Sequence, residues 1–251
     1  MLHNLSIVLV RPRFPENIGM VARAMANMGA SDLVLVEPER WEKDKALPLA
    51  TPQGALILEN ARVEETLASA LAPCVVAFGS TARTGGWRRE VISPETAARE
   101  ARGTARQGGR VALVFGSEDR GLLNAEVEQC SRIVNIPTVA EHSSLNLAQA
   151  VLVLLYECVK ADLALPFAAK EASRTWTRPA TSADSRRASL EEERLLLRSL
   201  ESTLLSIGHL PEDNPGWFMQ PMRRFIRKSR LRRHEFDMLM GICRQIRRPV
   251  K

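Results

Sequence analysis

Aromatic side chains are scarce in this 251-residue chain, making up 5% of it with a single tyrosine. That scarcity disfavours a base-stacking sheet of the kind that reads RNA through rows of exposed rings. The four cysteines, Cys74, Cys130, Cys158 and Cys243, are too scattered for a CxxC or zinc pattern and suggest no disulfide framework. A reducing cytoplasm is the compartment they suit. No stretch approaches the roughly 18 apolar residues of a membrane span, and the opening MLHNLSIVLVRPRF lacks a cleavage-site pattern. The expectation is a soluble protein with no membrane partner and no metal. Three familiar loops are missing too: the GxGxxG spacing, the Gly-Lys-Ser/Thr ending of a P-loop, and the GxSxG nucleophile elbow. Their absence disfavours an NAD site, a nucleoside triphosphate site and a Ser-His-Asp hydrolase, and leaves His142 a lone histidine beside two serines.

Positive charge is plentiful but local. Eleven Lys and Arg against Glu235 and Asp237 give Pro221–Lys251 a net +9, so the first 220 residues carry −3 of the total +6. A charge run is ordinarily a solvated helix face, yet this density matches the footprint of a polyanion binder such as nucleic acid.

Short apolar runs alternate with helix-like stretches through residue 164, the signature of an α/β fold. Strands are expected at Leu5–Val10, Leu33–Val36, Val75–Phe78, Val111–Phe115 and Ile133–Ile136, and their aliphatic content fits a parallel sheet buried on both faces. Helices are expected at Ile18–Met28, Gly54–Leu71 with a break near Asn60, Pro94–Arg102, Asn124–Cys130 and Leu145–Leu163. Residues 166–189 mix Pro, Ser, Thr and charge without periodicity and read as a linker. Beyond it, Leu195, Leu196, Leu200, Leu204 and Leu205 fall at helical spacing, and two more helices follow. The expected organisation is therefore a domain over 1–165, a linker, and a small basic helical extension over 190–251.

Ligands of open α/β sheets sit outside the carboxyl ends of the strands, so the segments that follow each strand carry the candidates. FGSEDRG, residues 115–121, places two glycines around an acid, which permits close backbone approach to a ligand; Glu118 is otherwise a loop acid near a helix start. In PENIGMVARAM, Asn17 and Arg23 are six apart, nearly opposite on an intact helix. Both could face the strand ends if Asn17 belongs to the preceding cap. SSLNLAQAVLVLLYE sets a polar head before an apolar run, so Ser144 and Asn146 either cap a helix or bind something there.

Together these segments resemble the TrmH-type branch of the SPOUT methyltransferases, most closely its TrmJ subgroup of tRNA ribose 2'-O-methyltransferases. The resemblance rests on Asn17-Ile18-Gly19 with Arg23, on VALVFGSEDRGL over 111–122, and on NIPT followed by SSLNLAQAV over 135–151, in that order and spacing. It extends through the linker into the basic tail around PMRRFIRKSR.

The resemblance implies S-adenosylmethionine as cofactor, a homodimer, and a deep trefoil knot in the C-terminal part of the catalytic domain. It points to Phe115, Gly116, Glu118, Gly121, Ile136, Pro137, Ser144, Leu145 and Asn146 around the cofactor. Arg23 falls to the acceptor hydroxyl, with Asn17, Glu118, Ser144 and Asn146 shaping the reaction site. A guanidinium is not expected to lose its proton in a protein, which favours Arg23 as a stabiliser of developing alkoxide over a literal base. Arg23, Arg223, Arg224, Arg227, Lys228 and Arg230 would grip tRNA. The implied activity is methylation of a ribose 2'-hydroxyl at anticodon-loop position 32. The alternatives are another RNA target such as ribosomal RNA, a non-catalytic RNA-binding protein of the same fold, and a nucleotide-dependent metabolic enzyme on an unknotted sheet.

Overall fold

A computed structural model describes residues 2–82, 91–139, 144–163 and 186–247 of the chain. His142, Ser143, residues 83–90 after the third expected strand, and all of the expected linker except 186–189 lie outside the described residues. The chain divides into two compact units, Met1–Trp176 and Thr177–Lys251.

The first unit is built on a seven-stranded sheet: β1 Leu5–Val10, β2 Asp32–Val36, β3 Arg62–Glu64, β4 Val76–Ser80, β5 Val91–Ile92, β6 Val111–Phe115 and β7 Arg132–Val134. Every pairing is parallel, and the spatial order is β3-β2-β1-β6-β4-β7-β5. All residues of β1 and β6, the central neighbours, are buried, which is why these segments read as unbroken aliphatic runs rather than alternating ones.

Among the described residues, seven α-helices accompany the sheet: α1 Pro15–Met28, α2 Lys43–Ala46, α3 Pro52–Glu59, α4 Leu67–Leu71, α5 Pro94–Arg106, α6 Asn124–Val127 and α7 Leu147–Leu163. On one face, Leu5, Ile7, Leu9, Leu113 and Phe115 share a core with Ile18, Val21 and Met25 of α1 and Val151, Leu154 and Leu155 of α7. On the other, Gly79 approaches Cys130 just beyond α6, and α4 lies against β2 and β3. Hydroxyls start three helices, with Thr51, Thr66 and Ser93 accepting from the N–H three residues on. The buried Arg102 of α5 forms a bidentate pair with Asp162 of α7 at 2.8 and 2.9 Å, and Arg106 adds a third bond at 2.6 Å. These bonds fix the far end of α7.

The sheet departs from the expected one at its edges. The stretch read as a helix broken at Asn60 is α3, then β3, then α4. The three-residue β3 and two-residue β5 are too short to carry a period. The last expected strand stops at Val134; just beyond it the Asn135 N–H still donates to the Ile92 carbonyl at 3.2 Å while its side-chain amide donates to the Thr81 carbonyl at 2.9 Å. Helix α1 begins at Pro15 rather than Ile18, since proline at the first helical position already has a helical φ.

The second unit holds α8 Leu190–Ser206, α9 Pro215–Phe218, α10 Gln220–Ser229 and α11 Arg233–Ile246 around Ala188, Leu196, Ile226, Leu231 and Phe236. A capping box opens α8: the Glu192 N–H donates to Ser189 Oγ at 3.2 Å, and the Ser189 N–H to Glu192 Oε2 at 2.8 Å. The Glu192 carboxylate also pairs with Arg186 and Arg233. Its pKa falls to about 2, first through the Arg186 hydrogen bonds, against some desolvation. The adjacent Glu193 is buried, and loss of hydration pushes its pKa up to about 7 against the pull of Arg227.

Candidate active site

Three loops at the carboxyl ends of β4, β6 and β7 enclose a cavity of about 290 Å³. Phe115 to Gly121 form one wall, Ser80 to Ala82 another, and Ile136, Ser144, Leu145, Leu147 and Ala150 the remainder. The glycines of the first wall are required by geometry. A Cβ on Gly116 would stand 2.0 Å from the Gly121 carbonyl carbon. Gly121 sits in the left-handed region at φ 64° while its N–H closes a turn onto the Ser117 carbonyl at 2.8 Å. The loop thus doubles back tightly, leaving its backbone against the cavity.

Glu118 is the hub beside this cavity. Its Oε1 accepts from Asn17 Nδ2 at 2.7 Å and its Oε2 from the Arg13 backbone N–H at 3.0 Å. A carboxylate accepts only, so the Asn17 amide orientation is forced, and Asn17 Oδ1 is left to accept from Asn146 Nδ2 at 3.1 Å. Asn146 Oδ1 in turn accepts from the Ala148 N–H at 2.9 Å, while the Asn146 N–H donates to Gln149 Oε1 at 3.2 Å. Asn146 therefore caps α7 and joins the polar network in one posture: capping and site-building are the same act. Asn17 is not a cap. Phe14 holds that position, and Asn17 is buried within the first turn of α1.

A second layer of charge holds the hub. Arg13 bonds Glu39 and Asp119, each at 3.0 Å, so its guanidinium is raised above its ordinary value, chiefly by Glu39. Asp119 is held below the usual carboxylate range, first by the Ser117 hydroxyl at 3.0 Å, with Arg13 adding to the effect against partial desolvation.

Arg23, exposed two turns along α1, does not line this cavity. It borders a wider apolar groove of about 500 Å³ with Met20, Ala24, Asn27, Asn146, Ala148, Gln149 and Leu152. Asn146 belongs to both the groove and the Glu118 network. Of the residues expected around the cofactor, Phe115, Gly116, Glu118, Gly121, Ile136, Ser144 and Leu145 line the cavity. Asn146 lies behind it, and Pro137 is exposed and not among the lining residues. Ser80 ends β4 and Thr81 and Ala82 follow it, at a position that the strand pattern marked without singling them out. Arg13 and Asp119 were missed, because a backbone N–H and a side-chain brace leave no sequence motif.

In the second unit, Arg223 approaches Glu201 at 3.5 Å and Arg227 lies near the buried Glu193. Arg224 and Lys228 are exposed with no partner among the described residues, and Arg230 ends α10 at φ 51°.

Residues 4–156 match the SpoU rRNA Methylase family and residues 191–251 the C-terminal domain of tRNA methyltransferase TrmJ. The chain is 37% identical over 252 residues to the tRNA (cytidine/uridine/adenosine-2'-O-)-methyltransferase TrmJ of Pseudomonas aeruginosa, covering all of this chain and 96% of that protein. It is also 37% identical over 251 residues to the tRNA (cytidine/uridine-2'-O-)-methyltransferase TrmJ of Salmonella typhimurium, covering all of this chain and 99% of that one. The crystal structure of TrmJ from Z. mobilis ZM4 superposes with a TM-score of 0.76 at 31% identity, over 97% of this chain and 99% of that one. With its three sequence motifs converging on one cavity and its network, and both matched regions in series, the chain belongs to the SpoU methylase family, in the TrmJ group that adds a C-terminal domain.

Proposed function

We infer that this protein transfers a methyl group from S-adenosylmethionine to a ribose 2'-hydroxyl of tRNA. The observation that carries the reading is the end-to-end likeness to TrmJ 2'-O-methyltransferases in a chain whose three motif segments meet at one cavity and the network behind it. The donor fits the residues present. Gly116 and Gly121 line the cavity without side chains, so main-chain groups stand next to it, and the loop packs so closely on itself that a Cβ at Gly116 would strike the Gly121 and Leu122 backbone. Phe115, Ile136, Leu145 and Leu147 give apolar surface for a base and a carbon chain. Bound there, S-adenosylmethionine supplies an electrophilic methyl on a sulfonium.

The remaining work belongs to the protein: orienting the acceptor and managing its proton. Alignment of reacting groups can be worth roughly 7 to 11 kcal/mol of barrier. Asn17 and Asn146, immobilised by Glu118, provide a fixed amide pair between the cavity and the Arg23 groove. Arg23 is assigned to the acceptor side, where a fixed positive charge stabilises developing alkoxide and holds a neighbouring phosphate. Arg23→Ala is expected to lower turnover about 10²- to 10³-fold with cofactor affinity unchanged in calorimetry. Retained turnover would remove Arg23 from the mechanism.

The finer reading has four parts. The catalytic domain spans 1–165 and the basic tRNA-binding extension 190–251, joined by 166–189. The chain forms a trefoil knot, an assignment supported by β7 lying between β4 and β5 while α7 returns to pack on α1 and α5. It works in the cytoplasm as a homodimer. Leu152 and Tyr156, exposed on α7, suit a partner subunit, and Leu152 shares its groove with Arg23. The target is position 32 of the anticodon loop. Incubating the protein with methyl-labelled S-adenosylmethionine and total tRNA, then mapping the label, tests the whole reading. A 2'-O-methyl at position 32 is expected, whereas label confined to ribosomal RNA in a parallel reaction would overturn the target.

A further inference from the structure

The second unit exposes rings where a solvated helix ordinarily presents charge. Met219, at φ −75° and ψ −11°, joins α9 to α10, and its carbonyl accepts from the Arg223 N–H at 2.9 Å. Residues 215–229 thus form one nearly continuous helical run. Its inner side is Met219, Met222 and Ile226, spaced i, i+3 and i+7, with Met219 and Ile226 each 1% exposed. The outer side repeats in the same way through Phe218, Pro221, Phe225 and Lys228, with Trp217 and Arg224 alongside. Trp217 and Phe225 are 64% exposed and Phe218 is 53% exposed. In a chain with so few aromatics, three large rings on the solvent side of one helix make an apolar surface of the kind that marks an interaction site.

Its chemistry limits what binds there. Helix α10 contains no acidic residue, and Arg224 and Lys228 flank Phe225 without a partner among the described residues. Flat apolar faces set between unpaired cations complement a polyanion that itself carries flat aromatic faces. An RNA strand with unstacked bases has that combination, while a fully paired duplex keeps its base faces stacked away from such rings.

We propose that Trp217, Phe218 and Phe225 form a stacking platform for unpaired nucleobases of the bound RNA, with Arg224 and Lys228 on the flanking phosphates. This rests on the RNA-methyltransferase reading and adds that the helical unit recognises unpaired bases as well as backbone charge.

The full-length protein and its Phe225→Ala, Phe225→Trp and Arg224→Gln variants test it, through binding to unfractionated tRNA and to a fully paired RNA duplex at several salt concentrations. Phe225→Ala should weaken tRNA binding about 5- to 100-fold without changing the slope of log affinity against log salt. It should leave duplex binding and melting temperature unaltered, and Phe225→Trp should restore affinity. Arg224→Gln should weaken both RNAs and lower the slope by about one. Unchanged tRNA affinity in Phe225→Ala, beside a wild type that binds, overturns the platform and spares the parent reading. A wild type that binds neither RNA overturns both. A change in oligomeric mass or melting temperature in Phe225→Ala would show that protein covers the rings, and would also overturn the platform.

Discussion

One carboxylate joins two segments remote from it in sequence: Glu118 holds the Arg13 N–H and the Asn17 amide at the start of α1 and, through that amide, Asn146 at the start of α7. Asn17 is the buried member, with Glu118 half-buried and Asn146 exposed, so removing Glu118 strands the Asn17 amide at a cost of about 1 to 3 kcal/mol. The cavity wall is more brittle still. Gly116→Ala places a methyl against the backbone of Gly121 and Leu122, neither of which can rotate away. The expected result is at least a tenfold loss of S-adenosylmethionine affinity by calorimetry, with far-ultraviolet circular dichroism unchanged. At this scale four polar side chains singled out in the sequence, Asn17, Glu118, Ser144 and Asn146, come to the cavity or the network behind it, while the Asp119 side-chain brace carried no motif. The sequence was illegible at Arg13, whose contribution is a main-chain N–H, and at the Arg23 groove, which depends on how α1 lies along α7.

At the scale of elements, α7 has its start and its function tied to a single residue. Asn146→Asp separates the two. An aspartate oxygen still accepts from the Ala148 N–H and caps the helix, so stability should change by no more than about 1 kcal/mol. It has no N–H to give Asn17, however, and brings an acceptor against an acceptor, so methyl transfer should fall at least tenfold. A melting curve and a turnover assay on one preparation check both halves.

Helix α8 carries a pH dependence of mixed sign. Glu193, at about 7 against an ordinary 4.5, holds a proton in the folded state that the unfolded chain releases. The stability from that proton is complete below about pH 4.5 and lost as pH rises through 7. Glu192, at about 2, behaves oppositely, its contribution present above 4.5 and lost as pH falls toward 2. Glu193→Gln should therefore raise stability at pH 8, by on the order of 1 to 3 kcal/mol, and leave it unchanged at pH 4, as read by denaturant melts. Elements with strong periods or unbroken aliphatic runs, such as β1, β6 and α8, could be read from the residues alone. The edge strands β3 and β5 could not, because two or three residues define no period and their pairing is decided by distant neighbours.

At the scale of the whole molecule, the charge asymmetry coincides with a structural division: the +9 of the last 31 residues falls in the unit that carries the TrmJ C-terminal match. A cut at residue 220 would strip α10 and α11 from α8 and expose Leu196, confusing lost binding with lost folding. Ending the chain before residue 186 is the cleaner test. That truncation should abolish salt-sensitive tRNA binding in a filter assay while leaving S-adenosylmethionine titrations unchanged. Intact tRNA affinity would put the RNA footprint in the first unit.

The strand order also constrains how the molecule comes into being. Because β6 lies between β1 and β4, a nascent chain that has not yet delivered Val111–Phe115 to the tunnel exit holds two central strands with nothing to join them. Closing the middle of the sheet awaits nearly half the polypeptide, and such long-range closure is slow. Synthesis is therefore nearly half complete before the middle of the sheet is continuous, and the greasy strands made first stay open to association in the interval.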